Sequence, residues 1–282
     1  MYQLRPPDPA LQPFVEHYWF VTPDGAPTDL QVDVFVDGRA DLLFNFGAPY
    51  QRQVIGREAT QHAHSNLDAQ RVVPIRIVQR GQVRITGVRF RLGGLGAFTR
   101  VPLRAFTNQT PAPSDVLGDD ARALEAALSA TPDVEAQARL LDRFLLAQRS
   151  EGGSFEDFSR ALRALTDAEG TASVEEVSKA AAMSSRHLDR LFARHLGIPP
   201  KTVGRVLRFQ RTLRALMRDP GCSLADVATQ AGYFDQAHFI KDFKRMSGGV
   251  PRGYRGYYPP EAPRDFAPNV VVFLQDGPRR RG

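Results

Sequence analysis

The sequence predicts an α+β chain. A small β-barrel or sandwich comes first, followed by an all-α domain with two helix-turn-helix modules joined by a long helix. Three observations predict it. Residues 14–106 carry short runs suited to strands, separated by turn signals. From Asp119 the apolar spacing becomes helical. Within the helical half, one helix-turn-helix pattern occurs twice at a nearly constant offset. At roughly 100–200 residues per domain, 282 residues accommodate two such domains.

In the β-rich part, residues 31–36 alternate, Asp37-Gly38 supplies a turn, and residues 41–46 follow. Residues 72–78 and 82–91 also suit strands, with Arg80-Gly81 between them, and Gly93, Gly94 and Gly96 end the pattern. Residues 107–118 are polar and contain proline, as a connector would. Leu124, Leu128, Leu140, Leu141, Phe144 and Leu145 fall at helical spacings, with Thr131-Pro132 dividing two helices. Residues 150–154 read as a linker, and 155–258 as helical throughout. The chain thus divides into a β-rich sensory or assembly domain (1–118), a helical connector and linker (119–154), a tandem helix-turn-helix domain (155–258) and a loosely held tail (259–282) ending in Arg279, Arg280 and Arg281.

Composition narrows the function. Apolar residues make up 42% and charged residues 24%, enough to bury cores. No apolar run approaches the ~20 residues of a membrane span, and residues 1–13 lack the basic and apolar regions of a secretory signal. A single cysteine, Cys222, excludes an internal disulfide and a Cys-based zinc cluster. A cytoplasmic location follows. Charge is unevenly spread. Residues 171–258 hold 15 Lys and Arg against 7 Asp and Glu, whereas the remainder holds 22 against 24. All four lysines (Lys179, Lys201, Lys241 and Lys244) lie in that basic segment. A neutral half joined to a basic half points to a polyanionic partner for the latter.

The repeat is the strongest feature. Val177 matches Val227 and Ala181 matches Ala231, an offset of 50. After one extra residue in the second turn the offset is 51, pairing Leu188 with Phe239, Phe192 with Phe243, Arg194 with Arg245, Gly197 with Gly248 and Pro200 with Pro251. Ser173-x-x-Glu176 is a capping box; Ser184 or Ser185, Ser223 and Asp235 are further caps. The second helix of each unit, residues 185–196 and 235–246, is amphipathic. Leu188, Leu191, Phe192 and Leu196 share one face and Arg186, Arg190 and Arg194 the other. In unit two Phe239, Phe243 and Met246 face inward, and Ala237, Lys241, Lys244 and Arg245 outward. A cationic ridge after a tight turn suits a major groove. Between the units, Val203, Val206, Leu207, Gln210, Leu213, Leu216 and Met217 form a stripe, with Arg205, Arg208, Arg211, Arg214 and Arg218 off it. A rigid helix here lets both ridges reach grooves about 34 Å apart.

These residues resemble the AraC family of bacterial transcriptional regulators. The resemblance rests on Leu188-x-x-Leu191-Phe192 with Gly197-Ile198-x-Pro200, and on Ala231-Gly232-Tyr233-x-Asp235-Gln236-x-His238-Phe239-x-x-x-Phe243-Lys244-Arg245, ending in Pro251-x-x-Tyr254-Arg255. It implies sequence-specific binding of promoter DNA, contact with RNA polymerase if the protein is an activator, and a cupin-like N-terminal domain that senses a small-molecule effector or forms a homodimer. The N-terminal half is similar to one subgroup of that family through Tyr18-Trp19, Asp37-Gly38-x-x-Asp41-Leu42 and Gly87-Val88-Arg89-Phe90. The family's base-contacting positions fall on Arg186, Asp189 and Arg190, and on Gln236, Ala237 and Lys241. Arg186 and Arg190 suit guanine, Gln236 adenine, and Ala237 a thymine methyl. Asp189 departs from this chemistry unless it accepts from cytosine. Arg194, Lys244 and Arg245 suit phosphates, which position without specifying.

Gly56-x5-His62-x-His64 matches the opening of the cupin metal motif, with Asp68 in place of a glutamate, but the later glycine and third histidine are missing. No metal or other cofactor is assigned. Tyr18, Trp19, Phe44 and Phe46 are candidates to line an apolar ligand pocket. No Gly-x-Ser-x-Gly or phosphate loop occurs, and no enzymatic role is assigned. Two rival readings stand beside the regulator, a cupin-type metal-dependent enzyme and a non-specific architectural DNA binder.

Overall fold

A computed structural model describes residues 2–23, 28–149, 152–219 and 221–254. In chain order the strands are β1 (Tyr2–Arg5), β2 (Val15–Val21), β3 (Thr28–Val34), β4 (Asp41–Asn45), β5 (Tyr50–Val54), β6 (Thr60–Ala63), β7 (Asn66–Asp68), β8 (Ile75–Gly81) and β9 (Ile85–Phe90). They form two antiparallel sheets, one ordered β1-β2-β9-β4-β7 and the other β3-β8-β5-β6.

Period-two alternation builds the layers. On one face of the five-stranded sheet, Tyr18, Phe20, Leu42, Phe44, Val88 and Phe90 join a core. On the other face Trp19 and Leu43 meet Tyr50, Ala63 and Ile77 of the second sheet. Trp19 pairs with Gly87, where a Cβ would lie 2.0 Å from the indole, so glycine there lets the ring cross the sheet. Among the described residues no ladder joins the two sheets, and the chain simply steps from β6 to β7 at His64-Ser65. Of the barrel or sandwich expected, the N-terminal half is therefore the sandwich, with no closed barrel among the described residues.

Helices α1 (Pro113–Leu117), α2 (Asp120–Ala130) and α3 (Val134–Gln148) cover the first face, where Leu117, Leu124, Leu128, Leu141 and Leu145 complete the core. α1 lies inside the stretch read as a plain connector, because Val116 and Leu117 bury against the sheet. β1 lies outside residues 14–106, where strands were expected. It is an edge strand pairing Tyr2 with Val21 and Arg5 with Tyr18.

The remaining helices are α4 (Gly153–Asp167), α5 (Val174–Ala180), α6 (Ser185–His195), α7 (Pro200–Arg218), α8 (Leu224–Gln230) and α9 (Gln236–Ser247). α4 starts within the predicted linker. One core gathers Phe158, Leu165, Val177, Leu188, Phe192 and Val203, and another Phe209, Leu213, Val227, Phe239 and Phe243. The second also contains Phe35 and Val36, from the β3–β4 connection. A Cβ on Gly96 would lie 2.4 Å from the carbonyl oxygen of His195, so the two halves approach at backbone distance. Arg255 and the tail 259–282, with Arg279, Arg280 and Arg281, lie outside the described residues.

Candidate nucleic-acid interface

The two units are built alike down to individual hydrogen bonds. Ser173 and Glu176 form the capping box, with the Ser173 amide 2.7 Å from Glu176 Oε2 and the Glu176 amide 3.2 Å from Ser173 Oγ. At the first turn the amides of Ala181, Ala182 and Met183 donate to the carbonyls of Val177, Lys179 and Ser178. At the second, those of Ala231, Gly232 and Tyr233 donate to Val227, Thr229 and Ala228. Ala182 and Gly232 both adopt left-handed backbone, at φ 54° and 75°. Ser184 caps α6 by accepting from the His187 amide at 3.3 Å, and Asp235 caps α9 by accepting from His238 at 2.6 Å.

Capping and packing together orient the second helix of each unit. Leu188, Leu191, Phe192 and Leu196 are buried, and Phe158 of α4 meets Phe192 edge-on at 5.1 Å. Phe239, Phe243 and Met246 are buried likewise, with Phe209 of α7 5.2 Å from Phe243. The opposite faces emerge into solvent. Arg186, Asp189, Arg190 and Arg194 on α6, and Gln236, Ala237, Lys241, Lys244 and Arg245 on α9, are all exposed. Among the described residues, none of the six Arg and Lys side chains in these rows pairs with a carboxylate. Arg190 instead lies 2.7 Å from His187 Nδ1. Neither row packs against the β half.

α7 sets the separation. Its 19 residues span about 28 Å at the helical rise of roughly 1.5 Å per residue. Three of the arginines off its apolar stripe act as ties, which sequence reasoning missed. Arg205 grips the buried Asp242 of α9 with two nitrogens, Nε at 3.1 Å. Arg208 donates to the Gly170 carbonyl at 3.0 Å and lies 5.5 Å over the Tyr233 ring. Arg211 pairs with Glu169 at 2.6 Å. Asp242 carried a signal, being the acid on an otherwise basic helix. His238 stands 3.7 Å from it and edge-on to Tyr233.

The other sequence-derived sites are not assembled. Asp68 is held between Arg71 at 2.9 Å and Arg52 at 3.3 Å. His62, on β6, meets the Gln51 amide at 3.3 Å. Among the described residues no three metal-ligating side chains converge. Tyr18 and Phe44 are fully buried on the helix-covered face, Phe46 borders that same core beneath Arg84, and Trp19 faces the second sheet. These four aromatics therefore do not line one pocket. The period of two sends neighbouring strand residues to opposite faces. A cleft of about 480 Å³ opens elsewhere, lined by Asn45, His64, Ser65, Pro113, Arg122 and Glu125.

This geometry defines a class, the tandem helix-turn-helix domain. A family model described as a helix-turn-helix domain matches residues 177–257. Residues 177–257 are thus similar to a helix-turn-helix domain. A second model, described as a domain of unknown function, matches residues 3–112. Over 79 residues the chain is 34% identical to the HTH-type transcriptional regulator GlxA of Rhizobium meliloti, covering 28% of this chain and 24% of that protein. Over 85 residues it is 31% identical to the putative HTH-type transcriptional regulator YkgA of Escherichia coli, covering 29% and 34%. The chain thus spans about a quarter to a third of the length of these relatives. Among solved structures, ToxT of Vibrio cholerae aligns over 90% of this chain and 97% of its own at 8% identity and TM-score 0.44. An AraC-type regulator from Chromobacterium violaceum aligns over 37% and 94% at 24% identity and TM-score 0.33.

Proposed function

We propose that this chain is a sequence-specific transcriptional regulator. It places α6 and α9 in successive major grooves of promoter DNA, in the cytoplasm. The observation that carries the reading is the duplicated pair of exposed cationic helix faces, each behind a capped turn and both packed on α7. Arg186, Asp189, Arg190, Gln236, Ala237 and Lys241 read base edges. Arg194, Lys244 and Arg245 hold phosphates. An effector or a homodimer contact in the β half adjusts the DNA-binding half through the β3–β4 connection, and an activator of this kind would also meet RNA polymerase.

Selection of bound duplexes from a random pool by the full chain tests this. The expected product is two half-sites about one helical turn apart. Binding that enriches no sequence, with equal affinity for every duplex, overturns the reading in favour of an architectural binder.

A further inference from the structure

Phe234 has a feature the repeat does not explain. The matched hydrogen bonds pair Met183 with Tyr233, and the matched caps pair Ser184 with Asp235. Phe234 is therefore the single residue inserted into the second turn. It stands directly before the N-cap of α9 and is 94% exposed. The other large apolar side chains that reach the surface among the described residues are between 40% and 53% exposed. At the start of α9, Gln236, Ala237 and Lys241 are also exposed, and Lys244 and Arg245 carry the cationic face on to its last turn, so an apolar ring stands at one end of that face. The end of α9 that enters the groove is the end Phe234 precedes. A major groove offers an apolar ring one partner, the C5-methyl of thymine.

We propose that Phe234 is a specificity-determining residue that packs on a thymine methyl at the edge of the second half-site. This rests on the regulator reading above. Unit one has no equivalent residue, so the inserted ring makes the two half-sites unequal. It adds an apolar preference to unit two while unit one reads through arginine. The contact is non-ionic and leaves the counterions released on binding unchanged.

The test uses the duplex selected by the full chain, with each thymine replaced in turn by deoxyuridine, which lacks only the methyl. In the parent chain, one or two replacements in the second half-site are expected to weaken binding, and Phe234→Ser to weaken it about tenfold. In Phe234→Ser those same replacements should cost nothing further, while thymines read by Ala237 keep their effect. The salt dependence of binding should be the same in both chains, and so should the melting temperature, since the ring is not packed. Equal affinity of parent and variant for the selected duplex, or deoxyuridine losses that persist in the variant, overturn the proposal and leave the regulator reading intact. Failure to select any duplex overturns both.

Discussion

The amide of Val36, in the β3–β4 connection, donates to the carbonyl oxygen of Met246 near the end of α9, at 3.3 Å. The Gln210 side chain of α7 donates to the Val36 carbonyl in return. Phe35 meets Tyr254 edge-on at 5.2 Å, and Val36 is wholly buried. The β half grips this wedge from behind. Arg71 donates to the carbonyls of Val34 and Phe35, each at 3.4 Å, and Arg89 pairs with Asp37. A cluster of buried charges in one half thus fixes two apolar residues inside the core of the other.

If the wedge couples the halves, Phe35→Ala should uncouple them. Removing a buried ring costs about 3–5 kcal/mol in a core. Scanning calorimetry is expected to show two resolved transitions in place of one. A single transition at the parent midpoint would refute the coupling.

The Arg205–Asp242 tie holds α9 against α7. Arg205→Ala leaves a buried carboxylate without its guanidinium, at an expected cost of about 2–3 kcal/mol in urea unfolding. Asp242→Asn, which keeps an acceptor, should cost less. Equal stability of all three chains would show that the tie contributes nothing.

Capping makes a smaller, local prediction. Ser173→Ala removes one half of a box observed in both directions and should lower stability by about 1 kcal/mol. Affinity for DNA should fall little, because α5 presents none of the reading side chains. A drop in affinity larger than the drop in stability would contradict this division.

His17 predicts a pH dependence. Burial foremost, and the nearby guanidiniums of Arg89, Arg39 and Arg91, lower its imidazole to about 4 against the pull of Glu16. The unfolded chain takes up a proton near pH 6.5 that the folded chain refuses until much lower. Stability from this group is therefore complete above about pH 6.5 and is lost progressively toward pH 4. Allowing for the partial exposure of the ring, the loss is about 2 kcal/mol. The melting temperature of His17→Gln is expected to fall less than the parent's across that window. Parallel curves would exclude His17 as the cause.

Arg190 and Lys244 should separate reading from holding. Arg190→Ala is expected to lower affinity for the selected site about 10- to 100-fold, with little change on random DNA. Lys244→Ala should weaken both alike and reduce the salt slope by about one. Equal losses on both duplexes for Arg190→Ala would remove it from the base-reading set.

The helical half was legible because its signals are local. Ser173 and Glu176, Ser184, Ser223 and Asp235 cap helices three residues away, and the apolar rows of α6 and α9 recur at helical spacing. Phe35 and Val36 were read only as the end of an alternating run before Asp37-Gly38. Nothing in their neighbours says that they fill a core in the distant half. Arg205, Arg208 and Arg211 could be placed only off the apolar stripe, because a sequence displays charges but not which of them meet.

The sequence by itself determined the two-part layout, the duplicated module and the outward arginine and lysine rows, since helix period and caps act within a few residues. Only the tertiary structure decided that the strands form two packed sheets, that Asp68 pairs with Arg71 and Arg52, and that Val36 anchors α9. Those outcomes depend on pairs as far apart as Gln210 and Val36, 174 residues along the chain. Such contacts have no period to betray them. They exist only once packing has brought complementary surfaces together.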